Sequence, residues 1–234
     1  MLRLGGLGDK SLWFDEISQV SLARLGFPHF VSQLLFYAGL PLDYLLQVVT
    51  LPLGMSEYAL RFHAAALGIV TVPLVYVLTF ALVERRAAAL LAALLFAVFP
   101  YHLQYSQEAR PYALFALSEV LALYVLWRAL EHDNPWAWVG FAMAEVLTFN
   151  THYLALIYLP PKGLLVLARA WQLRPTLHRA LTLCLKFVGA IFPAFLTWLI
   201  MPWFELFTVM AKRLLGQASG EANALAPLTL DASV

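Results

Sequence analysis

Three short polar clusters interrupt an otherwise apolar chain, and they hold side chains whose types and spacing could perform chemistry. The clusters occupy residues 11–16, 105–112 and 150–153 and contain Asp15, Glu16, Glu108, Arg110 and His152. Carboxylates can accept protons, and an arginine can hold an anion through parallel hydrogen bonds. Charged groups in or near lipid are costly unless they serve a function. The clusters therefore predict the active site of an enzyme embedded in a membrane.

Composition places the chain among membrane proteins. Hydrophobic residues make up 62% of it and charged residues 12%, against about 45–50% and about 25% in ordinary soluble domains. The formal net charge is +1, which gives no reason to expect nucleic acid as a partner. Cys184 is the single cysteine, so an internal disulfide is excluded. The elements that position the polar clusters are therefore expected to be helices in lipid.

Six apolar segments approach the roughly 20 residues that a helix needs to cross a bilayer. They cover residues 58–83, 87–100, 112–130, 136–149, 153–170 and 181–201. The second is short and is expected to extend through residues 101–103. The fifth contains Pro160, Pro161 and Lys162, which predict a kink and a charge at depth. Glu145 in the fourth segment is a candidate partner for Lys162. The predicted fold class is all-α, a polytopic membrane helical bundle.

Arginines in the connections between segments predict the orientation of the bundle. They are Arg85, Arg86, Arg128, Arg169, Arg174 and Arg179. Under the positive-inside rule, the connections that carry them face the cytoplasm. The alternate connections carry the three polar clusters, so all three clusters are expected together at the extracytoplasmic end. The sequence thus predicts an integral membrane protein with an extracytoplasmic active site.

The chain divides into three regions. Residues 1–57 are expected to form a first extracytoplasmic loop with the acidic motif, and residues 16–35 fit an amphipathic helix at the interface. Residues 42–53 are apolar but too short to span, which favours a second, re-entrant or surface helix. Residues 58–201 form the bundle. Residues 202–234 are assigned to an extracytoplasmic segment and an unanchored, truncated tail.

Three motifs resemble those of the polyprenyl-phosphate-sugar-dependent glycosyltransferases, bacterial relatives of the protein O-mannosyltransferases and of the lipid A aminoarabinose transferase. They are Ser-Leu-Trp-Phe-Asp-Glu at 11–16, Ser-Glu-Tyr-Ala-Leu-Arg at 56–61 and Tyr-Ser-Gln-Glu-Ala-Arg-Pro-Tyr at 105–112. The resemblance covers about residues 4–201, the N-terminal half of such an enzyme. It implies a GT-C-like fold in a bacterial inner (plasma) membrane, with an acidic pair just after the first helix. Because the chain starts where that helix should end, we expect a truncated chain that lacks most of it.

The resemblance implies transfer of a sugar from a polyprenyl-phosphate donor to a protein or lipid acceptor, with inversion at the sugar. Asp15 corresponds to the first acid of the family's pair and is the candidate general base, with Glu16 assisting or orienting it. The alternative for Asp15 is a structural role as the N-cap of the helix predicted from Glu16. Fixed cationic groups or a metal would stabilise the leaving phosphate.

The other candidates each keep more than one interpretation. Arg110 either holds the donor phosphate or forms a structural ion pair with the acidic pair. Glu108 binds a divalent metal ion, positions the sugar, or forms a structural ion pair with Arg61. Arg61, one turn inside the first segment, either snorkels to the interface or points at the phosphate. His152 joins a metal site, contacts phosphate, or serves as a hydrogen-bonded spacer. A divalent metal ion is the one cofactor that these residues suggest.

One departure from the family concerns metal binding. Many relatives carry His or Lys immediately before the proline of a Pro-Pro-Leu-Tyr-Tyr motif, and some use this neighbourhood for metal or phosphate contact. The corresponding stretch here is Gly-Leu-Pro-Leu-Asp-Tyr at 39–44. The ligand-bearing position is apolar, which argues against a metal site of that type, although Asp43 could compensate.

Two other classes of function remain open. A transporter also places charges among helices, but it should show an internal repeat or paired broken helices, and the sequence has no convincing self-similarity. A noncatalytic membrane fragment or assembly subunit would keep the motifs without turnover. The partners expected for the enzyme are the lipid-linked sugar donor, the acceptor and membrane lipid.

Overall fold

The computed structural model describes residues 2–25, 40–172 and 177–219, with side chains placed up to residue 199. Within these ranges the chain forms helices and no strands. In chain order they are α1 (Phe14–Ala23), α2 (Pro41–Thr50), α3 (Glu57–Val83), α4 (Arg86–Val98), α5 (Pro100–Tyr105), α6 (Tyr112–His132), α7 (Pro135–Phe149), α8 (Ala155–Gln172) and α9 (Leu177–Ser219), with a 3-10 turn at Leu51–Leu53. The predicted all-α class is confirmed.

Helices of the described chain have the length and composition of membrane spans. Three qualify by both criteria: Glu57–Val83, Tyr112–His132 and His178–Leu199. The other three apolar segments also fold as helices, but α4 and α7 have only 13 and 15 residues, fewer than the roughly 20 that span a bilayer. Large apolar side chains cover the outer surface of the bundle, as lipid contact requires. The protein is an all-α membrane bundle.

Local sequence explains where these helices begin and end. The Ser56 hydroxyl accepts a hydrogen bond from the Ala59 amide at the start of α3, and the Asn134 side chain accepts one from Trp136 at the start of α7. Such caps satisfy amides that the first helical turn leaves free. Glu84 ends α3 in the left-handed conformation, with φ 56°. These signals produce the short connections between antiparallel neighbours.

The second apolar segment does not continue through residues 101–103, contrary to our expectation. It ends as α4 at Val98, and Phe99 is extended, with φ −62° and ψ 119°. A residue that precedes proline disfavours the helical conformation, and Pro100 then opens the separate helix α5. The chain after α5 packs closely on α3. The contact is so tight that a Cβ on Gly68 would overlap the Ser106 side chain.

A buried ionic triad joins the middle of α6, α7 and α8. The Lys162 Nζ lies 2.5 Å from Oε1 of Glu145 and 2.9 Å from Oε2 of Glu119. The predicted pairing of Glu145 with Lys162 is confirmed, whereas Glu119 was not foreseen. The α8 helix runs continuously through Pro160 and Pro161. The charge at depth is therefore compensated across three helices.

Two short helices precede the first span, as predicted. The α1 helix covers the first part of the expected amphipathic segment, whose remainder, from residue 26 to residue 35, lies outside the described residues. The α2 helix is the predicted second surface helix. Leu22 of α1 packs against Tyr44 and Val48 of α2. In the last assigned region, 202–234, the chain continues as α9 up to Ser219, and residues 220–234 lie outside the described residues.

Candidate active site

The three polar clusters meet at one end of the bundle. The amide of Ala109 donates a 2.7 Å hydrogen bond to Glu16, which joins the first cluster to the second. The rings of Tyr112 and His152 lie 5.4 Å apart, which joins the second cluster to the third. The prediction that the helix count brings these clusters to one end is confirmed. Which side of the membrane that end faces stays a prediction.

Cysteine labelling tests this orientation. In a Cys184→Ser background, we expect Gln104→Cys, at the cluster end, to react with an impermeant thiol reagent added to intact spheroplasts. His132→Cys, at the opposite end of α6, should react only after the membrane is opened. Both native side chains are exposed, so accessibility within the protein does not limit either reaction. The reverse pattern would place the clusters in the cytoplasm.

Glu16 is the most heavily bonded carboxylate at this end. Its side chain is fully buried and accepts hydrogen bonds from the Arg61 guanidinium at 2.7 and 2.8 Å and from the amides of Trp13 and Ala109. Burial alone would raise the pKa of Glu16, but these hydrogen bonds outweigh it and hold the pKa below its ordinary value. A carboxylate so fully engaged is poorly suited to accept a proton from a substrate.

Arg61 also has no hydrogen-bonding capacity left for a ligand. Besides the two bonds to Glu16, its guanidinium donates to the backbone carbonyls of Leu7, Lys10 and Ser11 at 2.8–3.1 Å. An arginine has five N–H donors, so all of them have protein acceptors. Its burial argues against snorkelling, and although Arg61 lines a cavity at this end of the bundle, its occupied donors argue against a direct hydrogen bond to phosphate. We propose a structural role instead.

Asp15 and Arg110 form a second ion pair, which is open to solvent. Arg110 Nη2 lies 3.6 Å from Asp15 Oδ2, and the side chains are 21% and 39% exposed. The Arg110 side chain is also hydrogen-bonded to Tyr44, a residue that the sequence did not single out. The N-cap of α1 is Trp13, so Asp15 lies inside the first turn and does not cap the helix.

A cavity of about 700 Å³ opens at this end of the bundle. Glu108 lines it, with Oε1 accepting a 3.2 Å hydrogen bond from Gln104 and Oε2 buried without a protein partner. Burial raises the pKa of Glu108, and the nearby Glu16 carboxylate adds to the shift. Trp13, Lys10 and Arg61 are among the other residues that line the cavity. Asp15 and Arg110 do not line it, although each is two residues in the chain from a residue that does, Trp13 and Glu108.

His152 is held as a neutral ring. Its Nδ1 accepts a 3.1 Å hydrogen bond from the Leu154 amide, and the ring lies 5.4 Å from the rings of Tyr112 and Phe115. Burial, and then the charge of Arg110, lower the pKa of His152. This geometry favours the spacer interpretation. In the described part of the chain, no three His, Cys, Asp or Glu side chains form a metal-binding group.

Sequence reasoning missed a buried polar cluster behind this site, which we define as Gln19, Asp43, Gln47 and His63. Gln19 Nε2 donates to Asp43 Oδ2 at 2.5 Å, and His63 Nε2 lies 3.9 Å from Asp43 Oδ1. The one available signal was a carboxylate within the apolar stretch that forms α2. It did not indicate which side chains of α1 and α3 would meet it.

Comparison with known proteins identifies the family. The model of the dolichyl-phosphate-mannose-protein mannosyltransferase family matches residues 39–200, which is most of the chain. No curated protein and no solved structure gives a significant match. The matched region includes Glu108, Arg110 and His152, whereas Asp15 precedes it and is tied to it by the contacts described above. This integral membrane protein belongs to the dolichyl-phosphate-mannose-protein mannosyltransferase family, a family of membrane glycosyltransferases.

Proposed function

We propose that the protein transfers a sugar from a polyprenyl-phosphate donor to a hydroxyl of a protein or lipid acceptor at the extracytoplasmic face. The observation that supports this most directly is the solvent-accessible pair of Asp15 and Arg110, each two residues in the chain from a residue that lines the cavity, Trp13 and Glu108. A phosphate-binding cation next to a carboxylate base is what such a reaction needs.

The weakness of the Asp15–Arg110 pair suits it to substrate exchange. Partly exposed ion pairs contribute only about 0–1 kcal/mol, so a donor phosphate can displace Asp15 from Arg110 at little cost. The guanidinium then binds the phosphate, and Tyr44 keeps the arginine in place. The displaced carboxylate becomes available to the acceptor.

Bond making and breaking follow from this arrangement. The acceptor oxygen attacks the anomeric carbon from the face opposite the phosphate, which inverts the configuration. Asp15 takes the hydroxyl proton, the new carbon–oxygen bond forms, and the bond from the anomeric carbon to the phosphate oxygen breaks. Polyprenyl phosphate leaves with that electron pair, and Arg110 stabilises its charge.

Glu16 and Arg61 position both reacting groups in this proposal. Glu16 adjoins Asp15 in the sequence, and it binds the amide of Ala109, which adjoins Arg110. One buried carboxylate therefore fixes the distance between the base and the cation. Arg61 holds that carboxylate in place through two short hydrogen bonds. The sequence predicted a supporting role for Glu16, and we propose that this role is to set the separation between Asp15 and Arg110.

Glu108 is proposed to position the sugar. The Glu108 side chain lines the cavity, where its carboxylate can accept hydrogen bonds from sugar hydroxyls, and Trp13 in the same cavity offers an aromatic face. A raised pKa also makes Glu108 the alternative candidate for the general base, because a more basic carboxylate accepts protons more readily.

A transfer assay tests the proposed function. Membranes containing the protein are incubated with a panel of radiolabelled polyprenyl-phosphate sugars, and label is sought in protein and lipid fractions. We expect one donor to give label that depends on the protein. If every donor fails although the protein is inserted and folded, the noncatalytic subunit becomes the better interpretation. The panel also identifies the sugar.

A further inference from the structure

The buried polar cluster joins the two loop helices to the first membrane span. Gln19 belongs to α1, Asp43 and Gln47 to α2, and His63 to α3. Their side chains are 0–4% exposed, so bulk water does not reach them. Gln47 follows Asp43 by one helical turn and therefore lies on the same face of α2. Nothing in the proposed transfer reaction uses these four side chains.

Much of the hydrogen-bonding capacity of this cluster has no partner among the described residues. The unpartnered atoms are Gln19 Oε1, Asp43 Oδ1, Gln47 Oε1 and Nε2, and the Nε2 of His63 that faces Asp43, whereas the His63 ring also hydrogen-bonds to the backbone of Leu60. Each buried polar atom left without a partner costs roughly 1–3 kcal/mol. So many orphaned atoms in one place indicate a bound group that satisfies several of them together.

The separation of Asp43 and His63 suits a bridging cation. Their facing atoms, Oδ1 and Nε2, are 3.9 Å apart, which is too long for a direct hydrogen bond. Carboxylate oxygen and imidazole nitrogen each lie about 2.0–2.2 Å from a bound Zn²⁺. A cation between the two atoms therefore meets both distances without movement of the backbone.

The charge of the cluster favours a cation over a buried water. Asp43 is buried, and its one hydrogen-bond donor is the neutral amide of Gln19. The strongest positive influence on Asp43 comes from the facing His63 ring, and the guanidinium of Arg110, which is paired with Asp15, acts more weakly. A water molecule could satisfy the orphaned atoms, but it would leave the carboxylate charge to a proton on Asp43 or His63, whereas a divalent cation satisfies the atoms and the charge together.

We propose that Asp43 and His63 bind a divalent cation of the Zn²⁺ class, with the Gln47 amide oxygen as a further ligand. The mixed oxygen and nitrogen donor set suits Zn²⁺ better than Mg²⁺, which prefers oxygen ligands alone. Gln19 holds the second oxygen of Asp43 and orients the carboxylate, as outer-shell partners of metal ligands do.

The ion would link α2 to α3 one residue away from Tyr44, which contacts the proposed catalytic pair. Asp43 precedes Tyr44, whose side chain is hydrogen-bonded to Arg110. An ion that fixes Asp43 thereby fixes the residue that holds the phosphate-binding arginine. The role is structural, so it does not depend on the proposed transfer reaction and can be tested without a sugar donor.

Metal analysis of the full chain tests the inference. The protein is purified in detergent without chelators, and its metal content is measured by mass spectrometry. We expect close to one transition-metal ion per chain. After the metal is removed with a chelator, Zn²⁺ at about 100 times its Kd should raise Tm by about 5–10 °C, and Mg²⁺ should raise it far less.

Variants locate the ion. Asp43→Asn and His63→Gln should each lose the bound metal and the Zn²⁺-dependent rise in Tm. His102→Gln, which alters a buried histidine bonded to Arg3 outside the cluster, should keep both. Metal retained by both cluster variants would place the ion elsewhere and overturn the proposal. So would a wild-type protein that contains no transition metal and shows no Zn²⁺-dependent shift, because an ordered water would then fill the cluster.

Discussion

Replacing Asp15 with asparagine is expected to slow sugar transfer by roughly 10²–10⁴-fold in a protein that still inserts and folds. Asparagine has nearly the same size as aspartate but cannot take the acceptor proton. The ion pair that it breaks is partly exposed, and Asp15 does not cap α1, so stability should change little. The measurement is the single-turnover transfer rate, with polyprenyl-phosphate binding measured on the same preparation.

Glu108→Gln is the matched control for this experiment, since it neutralises the carboxylate in the neighbouring cavity. If Asp15 is the base, Glu108→Gln should mainly weaken binding of the sugar donor and leave the rate at saturation less affected. A near wild-type rate for Asp15→Asn, together with a severe loss for Glu108→Gln, would assign the base to Glu108. The raised pKa of Glu108 makes that outcome chemically sensible.

Replacing Arg61 with methionine is expected to destabilise the folded protein by roughly 3–5 kcal/mol. The change leaves the fully buried Glu16 without its cation and leaves three backbone carbonyls without a donor. Unfolding in detergent, followed by circular dichroism, measures the loss. Arg110→Met is the control, because its ion pair is partly exposed and should cost no more than about 1 kcal/mol. Equal losses for the two variants would contradict the structural role of Arg61.

The pH dependence of stability gives a second check on the Glu16–Arg61 pair. The pKa of Glu16 is lower in the folded protein than its ordinary value. The unfolded chain therefore binds the proton more readily, and the contribution of Glu16 to stability is fully present only above about pH 4.3, the ordinary Glu pKa. It should be lost progressively as the pH falls through the folded-state pKa. In Arg61→Met this part of the acid destabilisation should largely disappear.

The positions of the helices, and the end of the bundle at which the polar clusters meet, followed from the sequence. Apolar segments of spanning length must become helices in lipid, since each backbone polar group then finds a partner within its own segment. Counting segments gives the end at which each connection lies. The buried pair of Glu145 and Lys162 could also be predicted from the sequence, because an uncompensated charge at depth requires a partner.

Only the tertiary structure determines which charged residues are structural and which remain available to a substrate. Glu16 and Asp15 are neighbours in the sequence, yet one is fully buried against Arg61 and the other is partly exposed beside Arg110. Sequence spacing cannot distinguish them, because the partners lie 45 residues away for Arg61 and 93 for the Ala109 amide.

The buried polar cluster around Asp43 also depends on tertiary packing. Asp43 and Gln47 share a face of α2 through helical periodicity alone, and this much is local. Their meeting with Gln19 and His63 depends on how α1 and α2 pack against α3. Burial and hydrogen-bond satisfaction are properties of that packing. They determine whether a carboxylate holds the fold together, binds an ion or remains available for catalysis, and residue type alone does not contain this information.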